Sequence, residues 1–274
     1  MYSLSQSIRM KGAAGEPIRS PFKALSRMGA DFRRGELSIL AAAGGTGKSV
    51  AALNVAIRSN VPTLYFSADS TAATQLSRAT AILTGEDARS IKEKLHAGQF
   101  EEYSETLAGR WWQRFNYSAR PTPAEIETHL EAYWEVFNIY PHLVVIDNIT
   151  NVDAGAGGYT AEEFTFSLEG MCDYLNEVAR ETKAHVMAMH HVVGEYADGL
   201  KPIPQSGLKG KISRVPALVV TIHKEIDGMG SRILNFSPVK NREGFEDSSG
   251  ETYVSYNFNT SNMRLEELAV GAAF

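Results

Sequence analysis

The sequence predicts an α/β domain: a mostly parallel central sheet, helices on both of its faces, and a β-hairpin near the C-terminal end. Three observations carry this prediction. Short, continuously apolar runs recur between helical stretches, the pattern of parallel strands buried on both faces. The first run, Leu37–Ala41, leads directly into a glycine-rich turn and then an amphipathic helix. The last, Tyr253–Phe258, alternates in character as the strand of a closing hairpin does.

Taken in order, Leu37–Ala42 reads as a strand and Lys48–Ser59 as a helix, followed by a strand at Pro62–Ala68 and a helix at Thr71–Leu83. The polar stretch Asp87–Leu107 reads as helix in two pieces broken at Gly98, and Trp111–Tyr117 as a strand. Thr122 and Glu125 form a capping box with Pro123 at the first helical position, so a helix starts there and runs to about Asn138. His142–Ile146 is a buried strand, Ala161–Thr182 a long helix and Ala184–Met189 another buried strand. Ala217–His223 and Ile233–Val239 are strands that precede the final one. Residues 1–20, with Arg9, Lys11 and Arg19 among glycine and serine, read as a flexible or docking tail, and 21–274 as a single domain.

Composition narrows the function classes. At 274 residues and a net charge of −5 the chain carries no broadly basic surface for nucleic acid, although local basic loops remain open to it. A lone cysteine, Cys172, rules out an intrachain disulfide framework and suits a reducing compartment. Cys172 falls in a helical pattern, where packing is its expected role. No apolar run approaches the ~20 residues of a membrane span, and no secretory leader pattern opens the chain. A soluble, cytoplasmic protein without a membrane partner is expected.

The chemistry starts at Ala42-Ala43-Gly44-Gly45-Thr46-Gly47-Lys48-Ser49. A glycine-rich turn between a strand and a helix is the context a phosphate-binding loop requires. Amides of the turn from Gly44 to Val50 and the positive end of the helix converge on phosphate. Lys48 adds a point charge, and Ser49 offers a hydroxyl to Mg²⁺. The first glycine of the usual pattern is Ala42 here.

Leu143-Val144-Val145-Ile146-Asp147 delivers one carboxylate at the carboxyl end of a buried strand, where ligands bind in open α/β sheets. Asp147 is expected to support Mg²⁺, the alternative being a turn cap. The next residue is Asn148, so a water-activating glutamate is absent from that position. Asp69, leaving the strand PTLYFSA, is the candidate base, with capping of the following helix as the alternative. His190 and His191 end the strand AHVMAM. Adjacent strand residues point to opposite faces, so a shared metal is not expected. One of them is placed to sense a γ-phosphate, or is an ordinary strand-end histidine.

Two glycine-rich loops, Asn151–Gly158 and Val192–Lys211, follow strand ends and stand as candidates to face a channel or simply to turn the chain. The second carries Lys201, Lys209, Gly210 and Lys211. Lys240 and Arg242 lie two apart in Val239-Lys240-Asn241-Arg242-Glu243-Gly244 and project from one face in extended chain. They are either a solvated face or a finger that reaches a neighbouring subunit's nucleotide.

Together and in order, AAAGGTGKS, FSADS, LVVIDNI, MAMHH, KGKI before ALVVTIH, and KNREG resemble the motor domain of DnaB-type replicative helicases, within the RecA-like ring ATPases, over residues 20–260. The resemblance implies a RecA-like P-loop NTPase fold and ATP and Mg²⁺ as cofactors. It implies Lys48 and Ser49 on phosphate and metal, Asp147 on metal, Asp69 activating water and His191 as sensor. Lys240 and Arg242 are implied to reach the ATP of the next subunit, and the two loops, including Lys201, Lys209, Gly210 and Lys211, to grip DNA. The implied function is an ATP-dependent, ring-forming helicase or translocase on single-stranded DNA. Its implied partners are further copies in a hexameric ring, single-stranded DNA, and a loader or other replication or recombination protein. Asp69 stands where the family has Glu and His191 where it has Gln, and the family's amino-terminal collar domain is expected to be missing. Two other readings stay open: a RecA-like recombination or repair ATPase, and an ATP-switched binding module with little turnover.

Overall fold

The structure, a computed structural model, describes residues 3–152, 167–208, 210–226 and 232–268. Its first half runs α1 (Leu4–Met10), α2 (Lys23–Arg27), β1 (Leu37–Ala42), α3 (Lys48–Ser59), β2 (Thr63–Ser67), α4 (Ala72–Thr84), α5 (Ala88–His96), α6 (Glu101–Ala108) and β3 (Gln113–Asn116). The second half runs α7 (Pro123–Phe137), β4 (Leu143–Asp147), α8 (Leu168–Thr182), β5 (His185–His191), β6 (Leu218–Ile226), β7 (Arg232–Asn241), β8 (Val254–Asn259) and β9 (Arg264–Glu267).

These strands form one sheet in the order β3-β2-β4-β5-β1-β6-β7-β8-β9. The pairings from β3 to β6 are parallel and those from β6 to β9 antiparallel. The predicted mostly parallel sheet with a closing hairpin is therefore present. The sheet extends one strand further than the sequence reading, because β9 is only four residues of mixed polarity. The five-residue α2 gives equally little periodicity to read.

The continuously apolar strands conceal a period of two. Leu40 and Ala42 of β1, Tyr65 of β2, Leu143 and Val145 of β4, and Met187 and Met189 of β5 pack on one face under α3 and α4. Leu37, Ile39 and Ala41, Leu64 and Phe66, Val144 and Ile146, and Val186 and Ala188 pack on the other with α7 and α8. Because both faces are covered, every position must be apolar. Helix limits follow local chemistry. Thr71 caps α4 through Thr74 N–H, the Thr122–Glu125 capping box starts α7, and Asn138 ends α7 in a left-handed conformation at φ 54°. The predicted break at Gly98 separates α5 from α6. The predicted helix from Ala161 is described from Leu168 onward.

Within residues 1–20, α1 buries none of its side chains, whereas the segment after it pairs with the domain. Ile18 N–H donates to Phe32 C=O at 2.8 Å, Gly15 N–H donates to Arg34 C=O at 2.8 Å, and Ile18 is buried. Among the described residues no helix is long and apolar enough to cross a membrane.

His185 locks the entry to β5. Its Nδ1–H donates to Arg33 C=O at 2.8 Å, so Nε2 accepts from Ser38 Oγ, also at 2.8 Å. Burial pushes its pKa from 6.5 down to about 4. The unfolded chain therefore binds a proton that the folded chain refuses. Stability is full above pH 6.5 and declines as pH falls toward 4, by up to about 3 kcal/mol from this residue. Denaturant melts at pH 7 and pH 5 should show this loss, and His185→Gln should flatten it. An unchanged pH slope in that variant would remove the assignment.

Candidate functional site

The turn between β1 and α3 is built for an anion. Gly45 and Gly47 take φ values of 70° and 120°, which side chains disfavour. A Cβ on Gly44 or Gly45 would meet nothing, so open space lies over the turn. The turn closes on one long backbone bond, Thr46 N–H to Ala43 C=O at 3.4 Å. The first-turn amides of α3 have no carbonyl within their helix. β1 lies at the centre of the sheet between β5 and β6, so the turn is flanked by the carboxyl ends of neighbouring strands.

Those ends bring the predicted residues together. Lys48 is 4% exposed, and burial lowers its pKa against the opposing pull of Asp147 and Asp69. Asp147 is 1% exposed at the end of β4. Burial raises its pKa, opposed by the Ser49 hydroxyl and Lys48. Tyr65 Oη donates to Asp147 Oδ2 at 3.0 Å, while Oδ1 is buried without a hydrogen-bond partner. A buried carboxylate oxygen left open beside a lysine and a serine fits a hard cation. Among the described residues no three His, Cys, Asp or Glu side chains cluster as ligands, so such an ion would rest mainly on phosphate and water.

Asp69 does not cap α4; Thr71 does. Instead the Asp69 carboxylate is held by two amides. Asn148 Nδ2 donates to its Oδ2 at 2.9 Å and Asn151 Nδ2 donates to Oδ1. His191 completes a line from the turn to this carboxylate. Lys48 Nζ donates to His191 Nδ1 at 3.2 Å, which leaves Nε2–H facing Asp69 Oδ2 at 3.6 Å. His190 lies on the other face of β5, as strand alternation predicts. It is 4% exposed, and burial pushes its pKa down to about 4.

The cleft over these groups, about 380 Å³, is also lined by residues that the sequence reading missed: Arg78, Arg232, Phe258, Thr260 and Met263. Arg78 is the one charged residue of α4, a signal available in the sequence. The others come from β7 and the β8–β9 hairpin, far along the chain from the turn, and nothing local marks them.

The remaining predicted residues lie elsewhere. Lys240 and Arg242 leave β7 beside the start of β6, since Lys240 pairs with Val219. That is the opposite end of the sheet from the cleft. Gly210 and Lys211 are exposed, both at positive φ, with Gly210 against Leu168 at the start of α8. Lys201 is exposed in the segment after β5. Lys209 and most of the predicted loop Asn151–Gly158, from Asp153, lie outside the described residues.

One contact ties that segment to the phosphate loop. Gly199, at φ 68°, accepts from Lys224 N–H at 2.7 Å, and a Cβ on it would fall 2.4 Å from Thr46 Oγ1. Gly199→Ala should therefore displace Thr46 and weaken binding of a fluorescent ATP analogue by at least about tenfold. Wild-type affinity would show that the turn tolerates the shift.

Known proteins share both sequence and fold. The family described as "AAA domain" matches residues 13–194. The "Gene 65 protein" of Mycobacterium phage L5 is 43% identical over 272 residues, covering 97% of this chain and 99% of the phage protein. That of Mycobacterium phage D29 is 45% identical over 233 residues, 84% of this chain and 98% of its own. Among solved structures, an ATPase domain of the DnaB-like helicase class aligns with a TM-score of 0.73 at 16% identity, over 97% of this chain and 96% of that one. A DnaB-like replicative helicase aligns with a TM-score of 0.72 at 15% identity, over 97% of this chain and 65% of that one. The chain thus belongs to the AAA domain family, with the two phage gene 65 proteins as relatives, and its fold is that of the ATPase domain of DnaB-like helicases.

Proposed function

We propose that this protein is an ATP-driven helicase or translocase motor that acts on single-stranded DNA as a ring of like subunits, with ATP hydrolysed between them. The observation that carries this reading is a separation. The nucleotide cleft lies at the carboxyl ends of the parallel strands, whereas Lys240 and Arg242 lie at the opposite end of β6 and β7. A basic pair so placed serves a nucleotide only in another copy of the chain.

Within one subunit, the turn amides and Lys48 hold the phosphates. Ser49 and Asp147 would hold Mg²⁺, which when bound neutralises phosphate charge. Asp69 takes the proton of the attacking water, oriented by Asn148 and Asn151. His191 stands between Lys48 and Asp69, so a γ-phosphate that draws Lys48 away changes what the imidazole can hold. Lys201, Lys209, Gly210 and Lys211 contact the DNA backbone. A replication partner is supported by the solved relative described in its interactions with primase. A second reading, an ATP-switched binding module with slow turnover, draws support from Asp69, which is one methylene shorter than the family's glutamate and already held by two amides.

Steady-state ATP hydrolysis with and without single-stranded DNA, with Lys48→Ala as the blank, separates these readings. Strong stimulation by DNA is expected; tight ATP binding without DNA-dependent turnover would favour the switch. Asp69→Ala should bind ATP and lose turnover by about 10²-fold or more, and normal hydrolysis would place the base elsewhere. Arg242→Ala should retain ATP binding and lose DNA-stimulated turnover by about 10³-fold. Undiminished turnover would withdraw the finger role.

A further inference from the structure

Lys240 and Arg242 do not project freely. Lys240 Nζ donates to Ser213 C=O at 2.7 Å and to Arg214 C=O at 2.8 Å, and Arg242 Nη2 donates to Val215 C=O at 3.1 Å. Three consecutive carbonyls thus hold both cations. They belong to a strap, residues 210–217, that runs from the basic loop at Gly210–Lys211 to the start of β6.

The strap is fastened on its other side to α8. Gly210 packs against Leu168, and Cys172 Sγ–H donates to Ile212 C=O at 3.8 Å. Arg214 pairs with Glu169 and, at 3.6 Å, with Asp173. The strand that carries the cations is anchored separately. A Cβ on Gly244 would fall 2.9 Å from Gly29 Cα, and Asn241 Nδ2 donates to Gly29 C=O at 3.2 Å. A one-residue bulge in the β6–β7 register falls between Val220↔Pro238 and Val219↔Lys240. The base of the pair is therefore fixed, and the strap determines where its charged ends stand.

We propose that Arg214 is a positioning residue for the Lys240–Arg242 pair: it fastens the strap to α8, so that the carbonyls of residues 213–215 present both cations in one geometry. The inference rests on the finger role proposed above. A pull on the basic loop by a bound strand reaches the same carbonyls, which links nucleic-acid contact to the finger.

Arg214→Ala should fold, because its side chain is 64% exposed and such surface pairs add little stability. It should bind the ATP analogue normally and lose DNA-stimulated turnover at least about tenfold, as small displacements of catalytic groups do. Arg214→Lys should recover most of the loss, and the double variant Glu169→Gln, Asp173→Asn should reproduce it. The pH profile supplies a readout that a merely structural role would not move. Burial, then Arg242, push the Lys240 pKa down to about 8, against Glu246. Turnover should fall as pH rises through about 8, and that limb should vanish in Lys240→Arg and move upward in Arg214→Ala. Wild-type stimulation and an unmoved limb in Arg214→Ala, with Arg242→Ala inactive, would overturn this inference and leave the finger role standing. Full DNA-stimulated turnover in Arg242→Ala would overturn both.

Discussion

The arrangement at the head of the sheet depends on a buried lysine. Lys48 sits where β1 hands the chain to α3, almost without solvent, and burial there works against its charge. An isolated ammonium in such a place is costly, and burial is tolerated when opposite charge and hydrogen bonds are supplied. Asp147 and Asp69 supply the charge and His191 accepts the hydrogen bond. Each comes from a different strand end. The strand order, which seats β5 beside β1, β4 beside β5 and β2 beside β4, is what delivers them. A phosphate entering the turn would take over part of this compensation, which is why the lysine that organises the site is also the natural reporter of a ligand.

The second constraint is directional. Six strands in parallel have all their carboxyl ends on one edge, so one subunit concentrates its nucleotide chemistry there. β7 turns back antiparallel and delivers Lys240 and Arg242 to the other edge. A head-to-tail assembly, which closes into rings when the rotation permits, brings the two edges together. Residues 210–217 and α8 span the distance between the basic loop and that far edge, so packing there connects the two functions.

The departures from the helicase pattern have a local logic. A glutamate after Asp147 is replaced by Asn148, whose amide holds Asp69 on the neighbouring strand while its carbonyl accepts from Thr150 N–H at 2.8 Å. The carboxylate has in effect moved one strand over and gained two amide supports, Asn148 and Asn151. His191, shorter in reach than glutamine yet with two ring nitrogens, faces Lys48 and Asp69 at once.

Much of this was legible in the amino-acid order. Hydrophobic runs, the capping box at Thr122, the break at Gly98 and the glycine turn before Lys48 are local signals, because they arise from backbone preferences and burial within a few residues. They sufficed for the element order, for the mostly parallel sheet, and for Lys48, Ser49, Asp69, Asp147 and His191 as one candidate cluster. Tertiary structure alone decided the rest. Which face each strand residue takes in a doubly covered sheet, the clamp of Asn148 and Asn151 on Asp69, the proximity of Arg232, Phe258 and Met263 to the cleft, and the carbonyl cradle of Lys240 and Arg242 all join residues far apart in the chain or on different elements. No local periodicity encodes such pairs. They exist only because the strand order and the reversal at β7 bring those segments to the same edge.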